Sequence, residues 1–83
     1  MDNDRIVVVL NIPRINKSFD IDIPIDITIN ELIIGLNEAL YMGMNSEQIA
    51  QSYIKCENPI ALLKGNKTIE ECGLWNGSVI NLY

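Results

Sequence analysis

The chain of 83 residues contains no histidine, only six basic residues and no long apolar run. Without histidine, imidazole acid–base chemistry and histidine–metal sites are excluded. Eleven acidic residues give a net charge of −5, which argues against a nucleic-acid binder because such a protein needs a basic face. The longest early apolar run, residues 6–10, has the length of a strand, whereas a secretory signal or a membrane span needs a longer one. We therefore expect a cytoplasmic protein that does not insert into a membrane.

Cysteine is also scarce. Cys56 and Cys72 lack the spacing of a Cys-x-x-Cys motif and have no histidine to complete a zinc site. They are either two small buried apolar side chains or a disulfide or redox pair. The serines have no histidine to activate them, and the sequence shows no phosphate-binding loop and no cluster of metal ligands. We therefore expect a protein that is not an enzyme, with no catalytic residue, no cofactor and no metal site.

Isoleucine is abundant, with fifteen copies in a chain that is 48% apolar. Residues 5–10, which after Arg5 are β-branched or leucine, predict a first strand with Ile6, Val8 and Leu10 facing the core. Residues 19–23 alternate apolar and acidic side chains, which predicts a second strand with Asp20 and Asp22 on its outer face. Residues 11–18 between them predict a hairpin loop of moderate length.

One helix follows the second strand. Thr28 and Glu31 have the spacing of a capping box, in which each side chain bonds the other residue's backbone N–H. Apolar residues then recur at helical spacing, and the pattern predicts a helix that ends near Tyr41 to Met42, with Gly43 as a left-handed C-cap. Gly35 inside this helix predicts a close approach of the helix to the sheet.

The rest of the chain predicts short elements. Residues 53–56 and 60–63 are two short strands, separated by Asn58-Pro59, and Asn76-Gly77 is a tight turn before a last strand over residues 78–83. Because the first and last strands are both very apolar, we expect them to be parallel neighbours at the centre of the sheet. The predicted fold is α+β, a single domain over residues 1–83 with a mixed sheet of four to five strands packed on one helix.

The element order resembles the β-grasp fold of ubiquitin, with Thr28 opening the helix and Thr68-Ile69 opening a short turn before the last strand. The closing motif Glu71-Cys72-Gly73-Leu74-Trp75-Asn76-Gly77, followed by an apolar strand, is similar to the YukD/EsaB family of small bacterial ubiquitin-like proteins of type VII secretion systems. The resemblance implies a cytoplasmic accessory component of the machine that exports WXG-type substrates. Its implied partner is the membrane ATPase or another cytosolic component, which would recruit it to the cytoplasmic face of the membrane. The alternative is a ubiquitin-like adaptor or regulator unrelated to secretion.

Conjugated ubiquitin-like modifiers and sulfur carriers end in a flexible Gly-Gly tail, whereas this chain reads Asn81-Leu82-Tyr83. We therefore expect neither a conjugated modifier nor a sulfur carrier. Matching the strands to those of ubiquitin places Lys55, Asn81 and Tyr83 near the positions of its apolar recognition patch. Receptors of the ubiquitin type are not expected partners, because lysine and asparagine would have to be desolvated there.

Five residues are the predicted partner contacts: Trp75, Tyr83, Lys55, Asp20 and Asp22. Trp75 is expected at a solvated position, either as a partner anchor or lying flat over apolar neighbours. Asp20 and Asp22 belong to a stretch between Lys17 and Lys55 with six acidic residues and no basic one. That stretch favours a basic partner, or it is an ordinary solvated face. An exposed edge strand would allow a homodimer, although nothing in the sequence selects one.

Overall fold

The structure, a computed structural model, describes residues 4–57 and 60–83. Its elements in chain order are β1 (Arg5–Ile12), β2 (Lys17–Pro24), α1 (Ile29–Ala39), α2 (Ser46–Gln51), β3 (Ile54–Cys56), β4 (Ala61–Leu63) and β5 (Val79–Leu82). The predicted break at Asn58-Pro59 lies outside the described residues.

The five strands form one mixed sheet in the order β2-β1-β5-β3-β4. β1 and β5 run parallel at its centre, and the other pairs are antiparallel. This confirms the predicted α+β fold, a mixed sheet with one main helix, and the parallel pairing of the first and last strands.

The core lies between the sheet and α1. The predicted even-numbered residues of β1 face it: Val8 and Leu10 are fully buried, and Ile6 packs against the core. Ile33 of α1 and Ile80 of β5 are buried as well. Asp20 and Asp22 are exposed on the other side of β2, so the predicted alternation is confirmed.

The capping box at the start of α1 is formed as predicted. The Glu31 N–H donates to Thr28 Oγ1 at 3.0 Å, and the Thr28 N–H donates to Glu31 Oε1 at 2.8 Å. These two bonds satisfy backbone donors that have no partner within the helix.

The predicted end of α1 is two to three residues late, although Gly43 adopts the predicted left-handed conformation, with φ 69°. The helix stops at Ala39, and Tyr41 adopts the left-handed conformation with φ 52°. The Met42 N–H returns to the Asn37 carbonyl at 3.1 Å, which closes the helix as a Schellman motif. The Asn37 side chain accepts from the Met44 N–H at 2.9 Å and donates to the Met44 carbonyl at 3.1 Å. These two bonds fix the loop that follows the helix end.

Two further expectations need correction. Gly35 faces solvent, and a methyl group added there would meet nothing within 4 Å, so this glycine does not bring the helix close to the sheet. The first hairpin loop is shorter than predicted, since β1 continues to Ile12 and a single 3-10 turn, Pro13–Ile15, leads to Asn16. Asn16 can reverse the chain in so few residues because it adopts the left-handed conformation, with φ 54°.

Candidate interaction surface

Lys55 stands in the middle of β3 on the face of the sheet that points away from the core. Its neighbours Ile54 and Cys56 are buried, whereas Lys55 is half-buried. It lies directly opposite Leu62 of β4 on one side and Asn81 of β5 on the other. Because directly opposed residues project from the same face, these three side chains share the outer face.

Two tyrosines extend this face beyond the ends of β3 and β5. The backbones of Tyr53 and Tyr83 exchange two N–H···O bonds, of 3.1 and 3.0 Å, and their rings stack with centroids 5.5 Å apart. Tyr83 is 44% exposed and Leu62 is 67% exposed. We call the group of Tyr53, Lys55, Leu62 and Tyr83 the tyrosine surface.

A row of polar side chains crosses three strands beside the tyrosine surface and reaches the backbone of a fourth. Ser18 Oγ donates to Asn11 Oδ1 at 2.7 Å, and Asn11 Nδ2 donates to Asn81 Oδ1 at 3.1 Å. Asn81 Nδ2 donates in turn to the Lys55 carbonyl at 3.1 Å and to Glu57 Oε2 at 3.0 Å. We call this row the amide ladder. Asn81 is only 8% exposed, and the ladder supplies the hydrogen bonds that a buried amide requires.

Trp75 lies in the loop before β5 and is 57% exposed, which agrees with the predicted solvated position. Its backbone N–H donates to Ser78 Oγ at 2.9 Å, and its carbonyl accepts from the Ser78 N–H at 3.0 Å. The Val7 N–H donates to Asn76 Oδ1 at 2.7 Å, and the Gly77 N–H donates to the Val7 carbonyl at 2.8 Å. The indole is thus presented by a loop that is bonded to itself and to β1, and its role as a partner anchor stays a prediction.

The two aspartates differ from each other. Asp22 Oδ1 accepts from Arg5 Nε at 3.0 Å, and Arg5 Nη2 also reaches the Asp22 carbonyl at 3.2 Å. Asp20 lies across from Val9, on the same exposed face. The predicted acidic pair is therefore partly neutralised at one of its two members.

The structure does not bring all five predicted contacts together. Lys55 and Tyr83 belong to the tyrosine surface. Asp20 and Asp22 lie on β2, three strand spacings from β3 or about 14 Å, and Trp75 lies at the other end of β5 from Tyr83, about 13 Å along the strand. A compact contact can use the tyrosine surface or the β2 edge. The Trp75 loop is bonded to Val7, which lies directly opposite Asp22, so it lies on the β2 side of the sheet and away from Tyr83.

Sequence reasoning missed Tyr53 and Leu62 as surface residues. Strand alternation could have revealed them. Tyr53 is two residues before Lys55 and so lies on the same face, and Leu62 precedes the buried Leu63 and so faces outward. The amide ladder left no such signal, because its central pair, Asn11 and Asn81, is 70 residues apart in sequence.

Both cysteines are thiols. Cys56 is buried in the core, and Cys72 is partly buried. Burial raises the pKa of the Cys72 thiol, against a smaller lowering by Lys67. In residues 4–57 and 60–83, no three acidic, cysteine or histidine side chains are grouped so that they could hold a metal ion. In the same part of the chain no helix combines the length and apolar content that a bilayer-spanning helix needs.

Comparison with known proteins assigns the chain to a family. The family model described as "WXG100 protein secretion system (Wss), protein YukD" matches residues 7–82. The chain belongs to the YukD family. It is therefore a ubiquitin-like protein of a family associated with WXG100 secretion, and the resemblance seen in the closing motif is confirmed. No curated protein matches the sequence significantly.

Solved structures share the fold of this YukD-family chain at low sequence identity. A de novo protein designed on ubiquitin has a TM-score of 0.71 at 20% identity, covering 99% of this chain and 90% of the design. A protein solved in work on molecular mimicry of SUMO in DNA repair has a TM-score of 0.75 at 16% identity, covering 100% and 95% of the two chains. The ubiquitin-like domain of an Arabidopsis thaliana protein has a TM-score of 0.68 at 18% identity, covering 95% and 76%. These likenesses establish the ubiquitin-like fold alone.

Proposed function

We propose that this YukD-family chain is a non-catalytic interaction component of a WXG100 secretion system. It acts in the cytoplasm and is held at the cytoplasmic face of the membrane by a protein partner, the membrane ATPase or another cytosolic component of the machine. The observation that carries this proposal, beside the family match, is the tyrosine surface.

The tyrosine surface has the composition of a protein contact. Tyrosine is enriched in interfaces because it offers a large amphipathic area with few rotatable bonds. The stacking of Tyr53 on Tyr83 and the paired backbones beneath them hold both rings in place before binding, which reduces the entropy lost on association. Leu62 adds an exposed apolar side chain, and Lys55 adds a positive charge beside it.

The partner surface should match this pattern. Lys55 is half-buried in the free chain and becomes further desolvated in a contact, so the partner must supply an acidic or carbonyl oxygen to its ammonium group. An apolar area facing Leu62 and the two rings completes the match. Such a partner differs from a receptor for the apolar patch of ubiquitin, which offers nothing to a lysine.

Several features support a role without catalysis. The thiol whose pKa shift is resolved, Cys72, is held in its protonated, poorly nucleophilic form by burial. The surface depression beside the first hairpin is lined by Asn11, Ile12, Pro13, Asn16, Lys17 and Ser18, a set without the acid–base pair that a hydrolytic or transfer site requires.

The test combines secretion with binding. In the native host, deletion of the gene should reduce export of WXG-type substrates, and the wild-type chain should restore it. Lys55→Glu combined with Tyr83→Ala should fail to restore export and should weaken binding of the purified chain to the cytosolic region of the membrane ATPase. Arg14→Glu makes the same charge change on the 3-10 turn and is the matched control, which should behave like the wild type.

Normal export in the deletion strain would refute the proposed role and favour an adaptor unrelated to secretion. Full restoration of export by the double variant would instead mean that the chain acts in secretion but does not use the tyrosine surface. Each variant is accepted for this comparison only when its circular dichroism and unfolding midpoint match those of the wild type.

A further inference from the structure

β2 is an outer strand of the sheet, and its hydrogen bonds to β1 show which backbone groups remain on its free side. The Ile25 N–H donates to the Asp4 carbonyl at 2.9 Å, so these two residues form a hydrogen-bonded pair just beyond the strands. In an antiparallel ladder such pairs alternate with pairs that are not bonded to each other. The register therefore makes Phe19, Ile21 and Ile23 the residues that exchange hydrogen bonds with β1.

The residues between them point their backbone groups away from the sheet. Ser18, Asp20 and Asp22 each present an N–H and a carbonyl on the outer side of β2. Pro24 has no N–H, so it ends this edge. In the described part of the chain no strand covers residues 18–22, although the Asp22 carbonyl accepts a side-chain bond from Arg5. This is an edge of the kind to which another strand can be added.

The two faces of this edge differ in chemistry. Asp20 and Asp22 are exposed on the outer face, whereas Phe19 and Ile21 are only partly buried on the face toward the helix. A strand added here places alternate side chains beside the two aspartates and the others beside the two apolar residues. The chemistry therefore selects an added strand that alternates basic and apolar residues.

Arg5 shows within the chain what a basic side chain does at this edge. Its guanidinium bonds the Asp22 carboxylate at 3.0 Å and the Asp22 carbonyl at 3.2 Å. Both side chains of this pair are more than half exposed, and exposed ion pairs contribute little stability. A partner's lysine or arginine can therefore replace Arg5 at small cost.

We propose that the edge formed by residues 18–22 binds, by strand addition, an extended segment of a partner protein in which basic and apolar residues alternate. This binding rests on the proposed interaction role, and it names the partner's segment and the place where it binds. It uses a surface separate from the tyrosine surface.

A second copy of the chain fits this edge less well. Pairing two β2 edges would bring aspartates of both copies close together, and like charges on adjacent strands are destabilising. Arg5 relieves that repulsion only at Asp22, through an exposed ion pair. The same charges attract a basic segment.

The test uses the purified chain and synthetic peptides. A seven-residue peptide alternating lysine with valine should bind and should shift the amide resonances of β2 in two-dimensional NMR spectra. It should also slow hydrogen exchange of the Ser18, Asp20 and Asp22 amides by about tenfold or more, since these are the donors that the added strand covers. A peptide with glutamate in place of lysine should bind at least about tenfold more weakly, and affinity for the lysine peptide should fall as salt is raised.

Variants separate the backbone edge from the charge. Asp20→Asn combined with Asp22→Asn should weaken peptide binding about tenfold, whereas the matched pair Asp26→Asn with Glu38→Gln should leave it unchanged. Asp20→Pro removes one outer N–H without removing a bond to β1, and it should abolish binding in a chain that still folds. If that variant is unfolded, the comparison of the two double variants, Asp20→Asn with Asp22→Asn and Asp26→Asn with Glu38→Gln, still decides the question.

Four results would overturn the proposal. They are no binding of the lysine peptide, equal binding of both peptides, resonance shifts centred on the tyrosine surface, or an equal loss of peptide affinity in the two double variants. Sedimentation showing that the chain dimerises through this edge would assign the edge to a second copy and would overturn it too. Secretion is not measured in these experiments, so failure here is distinct from failure of the proposed function.

Discussion

Asn81 provides a direct test of whether the amide ladder stabilises the sheet. Asn81→Ala removes three side-chain hydrogen bonds, to Asn11, to the Lys55 carbonyl and to Glu57. At about 1 kcal/mol of net stabilisation per bond, the sum is about 3 kcal/mol. Glu57 is exposed and regains water, so we expect the free energy of unfolding to fall by about 2 kcal/mol. For a domain of this size that lowers the melting temperature by about 8–16 °C.

The assay is urea unfolding followed by circular dichroism, with an unchanged dependence of the free energy on urea showing that the same surface is exposed. Ser18→Ala is the control, because it removes one bond at the exposed end of the ladder and should cost no more than about 0.5 kcal/mol. Combining Asn11→Ala with Asn81→Ala should reveal a coupling of about 1 kcal/mol, since the two amides bond each other. A loss below about 0.5 kcal/mol for Asn81→Ala, or no coupling to Asn11, would refute the reasoning.

Four other substitutions test single features by the same unfolding assay. Tyr41→Gly should raise the free energy of unfolding by about 1 kcal/mol because it relieves the left-handed backbone, whereas Tyr41→Ala should not; equal effects would contradict this account. Thr28→Ala should lower it by about 1 kcal/mol through loss of the helix cap, and an unchanged free energy of unfolding would contradict the assigned role of the cap. Trp75→Ala should change it by no more than about 0.5 kcal/mol, and a larger loss would place the indole in the core. Burial raises the pKa of the Cys72 thiol, so the folded chain keeps this proton to a higher pH than the unfolded chain does. The free energy of unfolding should therefore fall as the pH rises above the thiol pKa of the unfolded chain. Cys72→Ala should lose this part of the pH dependence.

The elements that sequence predicted well are those set by local pattern. Strict alternation placed Asp20 and Asp22 outside and Ile23 inside, because a strand shows its side chains to opposite faces in turn. The spacing of Thr28 and Glu31 was enough to predict the cap, since all of its atoms come from four consecutive residues. The pairing of the first and last strands followed from their apolar composition alone.

The failures share a different cause. Gly43 was the expected C-cap because glycine adopts positive φ most easily. It does have positive φ, but Tyr41 is also left-handed and closes the helix two residues earlier. The Asn37 side chain makes that exit possible by bonding Met44 on both its N–H and its carbonyl. Such a contact between a helix and the loop after it involves no periodicity, so the sequence pattern does not reveal it.

Of the candidate site, sequence predicted individual residues and missed their grouping. Lys55 and Tyr83 come together only because β3 and β5 are adjacent, and the stacking of Tyr53 depends on the same adjacency. The pairing of Arg5 with Asp22 likewise depends on the register of the first hairpin. Residue type and alternation indicate which side chains face outward, whereas register decides which of them meet.

The amide ladder divides the outer face of the sheet into the two proposed binding surfaces. Asn11 and Asn81 lie between the β2 edge and the tyrosine surface, and their side chains are already bonded to each other and to their neighbours. Covering a satisfied polar row gains little, so a partner contact should stop at the ladder rather than cross it. Sites about 14 Å apart usually act independently, and the ladder is a hydrogen-bond path that joins these two, from Ser18 to the Lys55 carbonyl. Because its side chains are satisfied without a partner, we expect it to stay unchanged on binding. Filling the edge with the lysine peptide should therefore leave the affinity of the tyrosine surface for its protein partner unchanged, and a change in that affinity would mean that the ladder transmits binding across the sheet.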